Sequence, residues 1–133
     1  MAAAVWDYGG DMRMLRIFWD ASAALDETAE KLDEAHMPLC RSGELSDLWK
    51  KAGLKNVQQQ PLDLEMQFDS FEDYWRPFLL GQGPAGAYTA NLNPDALQRL
   101  RDELRHRLTA SGEDVSFVLP ARAWAVCGTV PVR

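Results

Sequence analysis

The sequence predicts an α/β domain, and three patterns carry that expectation. Residues 2–6 form an unbroken apolar run that reads as a strand without a polar face. After residues 12 and 93, apolar side chains recur at three- and four-residue spacing, the signature of amphipathic helices. Between residues 56 and 68 the apolar period drops to two, as in a half-exposed strand. The 133 residues suit a single domain over 1–133.

The elements follow in chain order. Ala2 to Trp6 reads as a strand buried on both faces, and with nothing before it the chain is expected to begin in the middle of a sheet. Asp7-Tyr8-Gly9-Gly10 breaks that strand, and a helix follows from Gly10-Asp11 with Met14, Ile17, Phe18, Ala21 and Leu25 on one face. It should end near residues 24–27, with a second short helical piece through 28–35 and a turn at His36-Met37-Pro38.

Ser42 is the expected N-cap of a helix carrying Leu45, Leu48, Trp49 and Ala52, stopped by Gly53-Leu54. In the next strand Leu62, Leu64, Met66 and Phe68 point one way while Asp63, Glu65 and Gln67 point the other. Pro61 places that strand near an edge or a bulge. Ser70 and Asp73 have capping-box spacing for a helix over 71–80 that Pro77 kinks or splits.

Residues 81–86 read as a flexible glycine-rich connector. Asn93-Pro94 opens a helix with Leu97, Leu100, Leu104 and Leu108 on its face, ended by Ser111-Gly112. Val115 to Cys127 is the last strand, with a bulge expected at Pro120.

Composition narrows the function. A net charge of −6 argues against a binder that depends on neutralising nucleic-acid phosphates. The arginines at 99–107 are interrupted by Asp102 and Glu103, which reads as a solvated helix face. The longest apolar run is far below the roughly 20 residues that cross a bilayer, and the apolar N-terminus lacks the basic region of a signal peptide. Cys40 and Cys127 stand far apart, as reduced, packed thiols in a cytoplasmic protein would.

The candidate chemistry is sparse. Gly81 to Gly86 satisfies G-x-G-x-x-G, but a helix precedes it and Pro84 removes a backbone donor, so a dinucleotide site is not expected. His36 and His106 lack the i, i+4 partner of a helical metal site, and no metal is expected. Asp63 and Glu65 could form an acid/base pair, yet strand alternation alone accounts for them.

Aromatic residues are the unusual feature. Phe18, Trp19 and Phe68 read as core. Trp6-Asp7-Tyr8 sits at the carboxyl end of a strand, where open α/β sheets bind ligands. Tyr74, Trp75 and Phe78, beside the proline and the glycines, suit a lid.

At Val5 to Tyr8, Met12 to Asp20, Pro38 to Arg41, Leu48 to Leu54 and Asp73 to Phe78, the sequence resembles class I S-adenosylmethionine-dependent methyltransferases. The nearest likeness is the small-molecule group related to ubiquinone-biosynthesis enzymes, and it covers the C-terminal half of that fold. The resemblance implies the C-terminal part of a Rossmann-like sheet: three strands, the last antiparallel, with about four to five helices. It makes the chain an acceptor-side half lacking the cofactor-binding half, truncated or split, and inactive as an isolated chain.

The complete fold uses S-adenosylmethionine, and displacement at its methyl group is driven by in-line orientation and exclusion of water. No cofactor is expected on this chain alone. Trp6, Tyr8 and Met12 match the loop bordering the acceptor pocket, and Tyr74, Trp75 and Phe78 match a helical cover; these six are the expected substrate contacts, with a small-molecule acceptor. Through residues 2–6 the chain is expected to self-associate or pair with a separate cofactor-binding chain. The competing reading is a non-enzymatic ligand-binding or dimerisation module.

Overall fold

A computed structural model describes residues 1–109 and 113–132. The fold is α/β, with three strands in one sheet. β1 (Ala2–Trp6) and β2 (Lys55–Phe68) both pair antiparallel with β3 (Phe117–Thr129), so the last strand lies between two that run in the same sense. Ala2 faces Cys127 and Trp6 faces Ala123 on one side; Gln58 faces Cys127 and Phe68 faces Phe117 on the other.

Helices pack on this sheet unevenly. α1 (Arg13–Leu25), α3 (Phe71–Trp75), α4 (Gly83–Ala90) and α5 (Pro94–Leu108) gather at the Phe68–Leu119 end. Their core is aromatic. Phe18 stacks on Phe78 at 4.5 Å between centroids, and Phe71 stacks on Trp75 at 6.3 Å. α2 (Glu44–Lys51) makes a smaller cluster, placing Leu45 and Trp49 against Val126.

Local sequence accounts for most boundaries. Asn93 Oδ1 accepts the Ala96 N–H at 2.8 Å to open α5, as its N-cap position predicts. Gly53 closes α2 at φ +92, with Gly53 N–H donating to Lys50 and Leu54 N–H to Trp49, a double bond pattern that satisfies the last carbonyls. Ser70 Oγ caps α3 through the Asp73 N–H, and after Trp75 the chain narrows to a 3₁₀ turn over Arg76–Leu80, where Pro77 cannot continue an α-helix. The expected helical piece after α1 is two 3₁₀ turns, Glu27–Leu32 and Glu34–His36.

Several expectations are corrected. The N-cap of α2 is Gly43 at φ +88, while Ser42 Oγ accepts from Gln59 Nε2. Residues 81–86 are not a loose connector, because α4 starts at Gly83 with Pro84 in its first turn, where a missing N–H costs nothing. Gly86 is tightly packed: a Cβ there would stand 2.6 Å from the Gly81 carbonyl carbon.

No register shift falls at Pro120; the irregularity lies between Lys55 and Gln58. Pro120 is tolerated because the ladder to β1 reaches only as far as Ala123. β3 begins at Phe117 and runs to Thr129. α5 ends at Leu108 with Thr109 as its cap, and the expected stop at Ser111-Gly112 lies outside the described residues.

The largest correction concerns β1. It was expected to be buried on both faces, yet Ala2, Ala3, Ala4 and Trp6 are exposed and Val5 is half-buried. β1 is an edge strand: its outer side pairs with no other strand among the described residues.

Candidate functional site

The turn after β1 builds the site. Asp7 N–H donates to the Arg122 carbonyl at 2.9 Å, extending the ladder by one step. The chain then folds back, with Gly10 and Met12 N–H groups both donating to the Asp7 carbonyl at 3.1 Å. The Asp7 carboxylate accepts the Asp11 N–H at 3.0 Å, and a side chain at Gly10 would collide with it. Arg16 of α1 braces the turn from behind, donating to the Tyr8 carbonyl at 3.4 Å while ion-pairing with Asp33.

This brace leaves Trp6 and Tyr8 beside an open groove of about 640 Å³. Register explains its shape: Trp6, Ala123 and Leu62 lie in one row across the three strands, and Leu64 follows opposite Ala121. Alanine on the central strand keeps the floor low between larger walls. Cys40 and Met37 close the side nearest Tyr8. Trp6, Leu62 and Leu64 are 39%, 44% and 45% exposed, so large apolar groups line the groove without being covered.

The electrostatics are quiet. Among the described residues, no Asp, Glu, Lys or Arg lines the groove. Burial raises the Tyr8 phenol above its ordinary value, and the Glu34 and Cys40 charges push the same way, so it stays a neutral donor. Burial, then Glu44, raises the Cys40 thiol, which is therefore not an activated nucleophile. Such a site can bind, orient and dry an apolar ligand.

A second cavity, of about 300 Å³, lies between the ends of α1, α4 and α5 and has a polar rim that includes Asp26 and Arg99.

The expected contacts divide sharply. Trp6 and Tyr8 line the groove. Met12 is buried as the N-cap of α1 and is not part of the lining. Tyr74, Trp75 and Phe78 form no lid: they are 0%, 2% and 3% exposed, and they are the core. The Tyr74 hydroxyl donates to the Met14 carbonyl at 2.8 Å, which is how a phenol is accommodated there.

Asp63, itself exposed, pairs with Arg122 at 2.6 Å. His36 and His106 are exposed, and among the described residues no group of three or more His, Cys, Asp or Glu is placed to hold a metal. Cys40 is buried but Cys127 is exposed, so only the first is packed. No helix among the described residues is long and apolar enough to cross a membrane.

The walls formed by Leu62, Leu64 and Cys40 were missed. The two leucines read as the buried face of a strand, and nothing in their spacing distinguishes a covered face from an open one. The signal that was present is Ala123, a small residue on the central strand opposite both Trp6 and Leu62.

No protein-family model matches the chain, and a search of curated proteins returns no significant match.

Proposed function

We propose that this chain is the acceptor-facing half of an S-adenosylmethionine-dependent methyltransferase fold acting on a small molecule. The observation that carries the reading is the groove at the carboxyl end of β1, walled by Trp6 and Tyr8 and lying beside a strand edge with no partner among the described residues. A last strand antiparallel to two same-sense strands supports it, since the resemblance implies an antiparallel final strand. Two free cysteines accord with a cytoplasmic setting, which belongs to the proposal.

The glycine-rich stretch does not fit the cofactor. The G-x-G-x-x-G stretch follows a 3₁₀ turn, not a strand, and its third glycine is packed against its first. The role assigned to this chain is positional: apolar walls hold the acceptor and exclude water, and Trp6 and Tyr8 set its orientation. The cofactor half is expected to complete the sheet along β1.

Calorimetric titration of the chain with S-adenosylmethionine tests this, the expected result being no saturable heat. Saturable binding would make the chain a compact enzyme and overturn the reading.

The exposed apolar β1 edge also favours a second reading, a dimerisation module. Sedimentation at micromolar concentration addresses the edge: self-association is expected from an unpaired strand of this kind, and a monodisperse monomer counts against pairing through β1.

A further inference from the structure

The cavity between α1, α4 and α5 stands apart from the groove and shares no lining residue with it. Ser22 of α1 and Ala96 of α5 are the small residues that leave it open, and Leu25 and Leu100 give it an apolar lining. Its rim is polar and carries both signs of charge.

Asp26 supplies the negative side. Its Oδ1 accepts from the Thr28 N–H at 3.0 Å and the Thr28 hydroxyl at 2.7 Å, and its Oδ2 accepts from the Tyr88 hydroxyl at 3.0 Å. A carboxylate offers about four acceptor sites, so one on Oδ2 remains. These donors hold the carboxyl below its ordinary value, and burial with the Asp26 bond pushes the Tyr88 phenol up to about 12, so the pair is a fixed anion and a fixed donor at neutral pH.

Arg99 supplies the positive side. It makes no ion pair among the described residues, unlike Arg101 and Arg107 on the same helix, which bind Glu72 and Glu103. Asn93, which also lines the cavity, is committed through Oδ1 to capping α5, and its amide N–H groups make no bond to that cap.

We propose that this cavity binds a small zwitterion with an apolar tail, an aliphatic α-amino acid, with its ammonium on Asp26 and its carboxylate on Arg99. A volume of about 300 Å³ is enough to take a molecule of that size. The proposal does not depend on what the groove binds.

Heteronuclear NMR titration of the chain with L-leucine tests it. Saturable shifts are expected at the end of α1 and the first turns of α5. Isopentylamine, lacking the carboxylate, and isocaproate, lacking the ammonium, should each bind about ten-fold more weakly or worse. Arg99→Gln should weaken L-leucine by a similar factor yet leave isopentylamine unchanged, a split that general destabilisation cannot produce. Ala96→Leu should fill the cavity and abolish binding while the rest of the spectrum is kept; if that variant does not fold, the exposed Arg99→Gln still decides. Absence of saturable shifts with L-leucine, or equal weakening of the acid-free amine by Arg99→Gln, overturns the proposal.

Discussion

The two ends of the sheet use the same kinds of side chain to opposite effect. At the Phe68–Leu119 end, Phe18, Phe71, Tyr74, Trp75 and Phe78 are sealed under four helices. At the Trp6 end, tryptophan, tyrosine and leucines line a groove that no helix covers among the described residues. Aromatic content therefore does not separate core from site in this chain. What separates them is whether the following segment folds back over the rings. After β2 the chain returns through α3 and its 3₁₀ turn to cover them. After β1, the Asp7–Met12 turn carries α1 away toward the aromatic end.

This contrast can be broken most forcefully at the sealed end. Phe78→Ala removes a ring stacked on Phe18, and a loss of about 3–5 kcal/mol is expected in denaturant unfolding. Trp6→Ala makes the opposite test. It should cost clearly less stability than Phe78→Ala, because Trp6 is 39% exposed and Phe78 only 3%, while weakening binding of a neutral aromatic probe. A Trp6→Ala loss as large as that of Phe78→Ala would erase the distinction between the two ends.

A finer probe of the sealed end is Tyr74→Phe. It keeps the ring and deletes the bond to the Met14 carbonyl, so about 1 kcal/mol should be lost, with no change in probe binding at the groove. Any role for Tyr74 in ligand contact would appear as the reverse pattern.

The smallest effect concerns Glu34, a buried carboxyl that accepts the Trp19 indole N–H at 2.9 Å. Burial raises it above the ordinary 4.5, the Trp19 bond partly opposing and Asp33 adding to the rise. Because the folded value lies above the unfolded one, its contribution to stability is full below the unfolded value and is lost as pH rises through the folded one. Glu34→Gln should therefore be more stable than the parent at neutral pH and show a flatter stability profile on the alkaline side of pH 4.5; an unchanged profile would remove Glu34 from the account.

How much of this was legible in the sequence follows the same division. Helix faces and three of the caps were readable because they are local: Asn93-Pro94, Ser70 with Asp73, and Gly53-Leu54 act within one turn, whereas Gly43 takes the capping place expected for Ser42. α4 was hidden because its glycines and proline read as a connector, although proline in a first turn opens helices well.

The groove was half legible. Trp6 and Tyr8 were found from their place at a strand end, a local cue. Tyr74, Trp75 and Phe78 were misplaced, and Leu62 and Leu64 overlooked, for one physical reason: burial depends on which distant segment covers a face. Alternation reveals a face but not its cover. The apolar run of β1 misled in the same way, since it reports the absence of polar residues and not the presence of neighbours.

The most direct test of the groove as a binding face is fluorescence titration with the uncharged dye N-phenylnaphthylamine, comparing the parent chain with Leu64→Lys, which puts a charge on the uncovered wall without touching the core. Saturable binding by the parent, and its loss in a variant that unfolds at the same denaturant concentration, is the expected result. Equal binding by both proteins, or none by the parent, would contradict it.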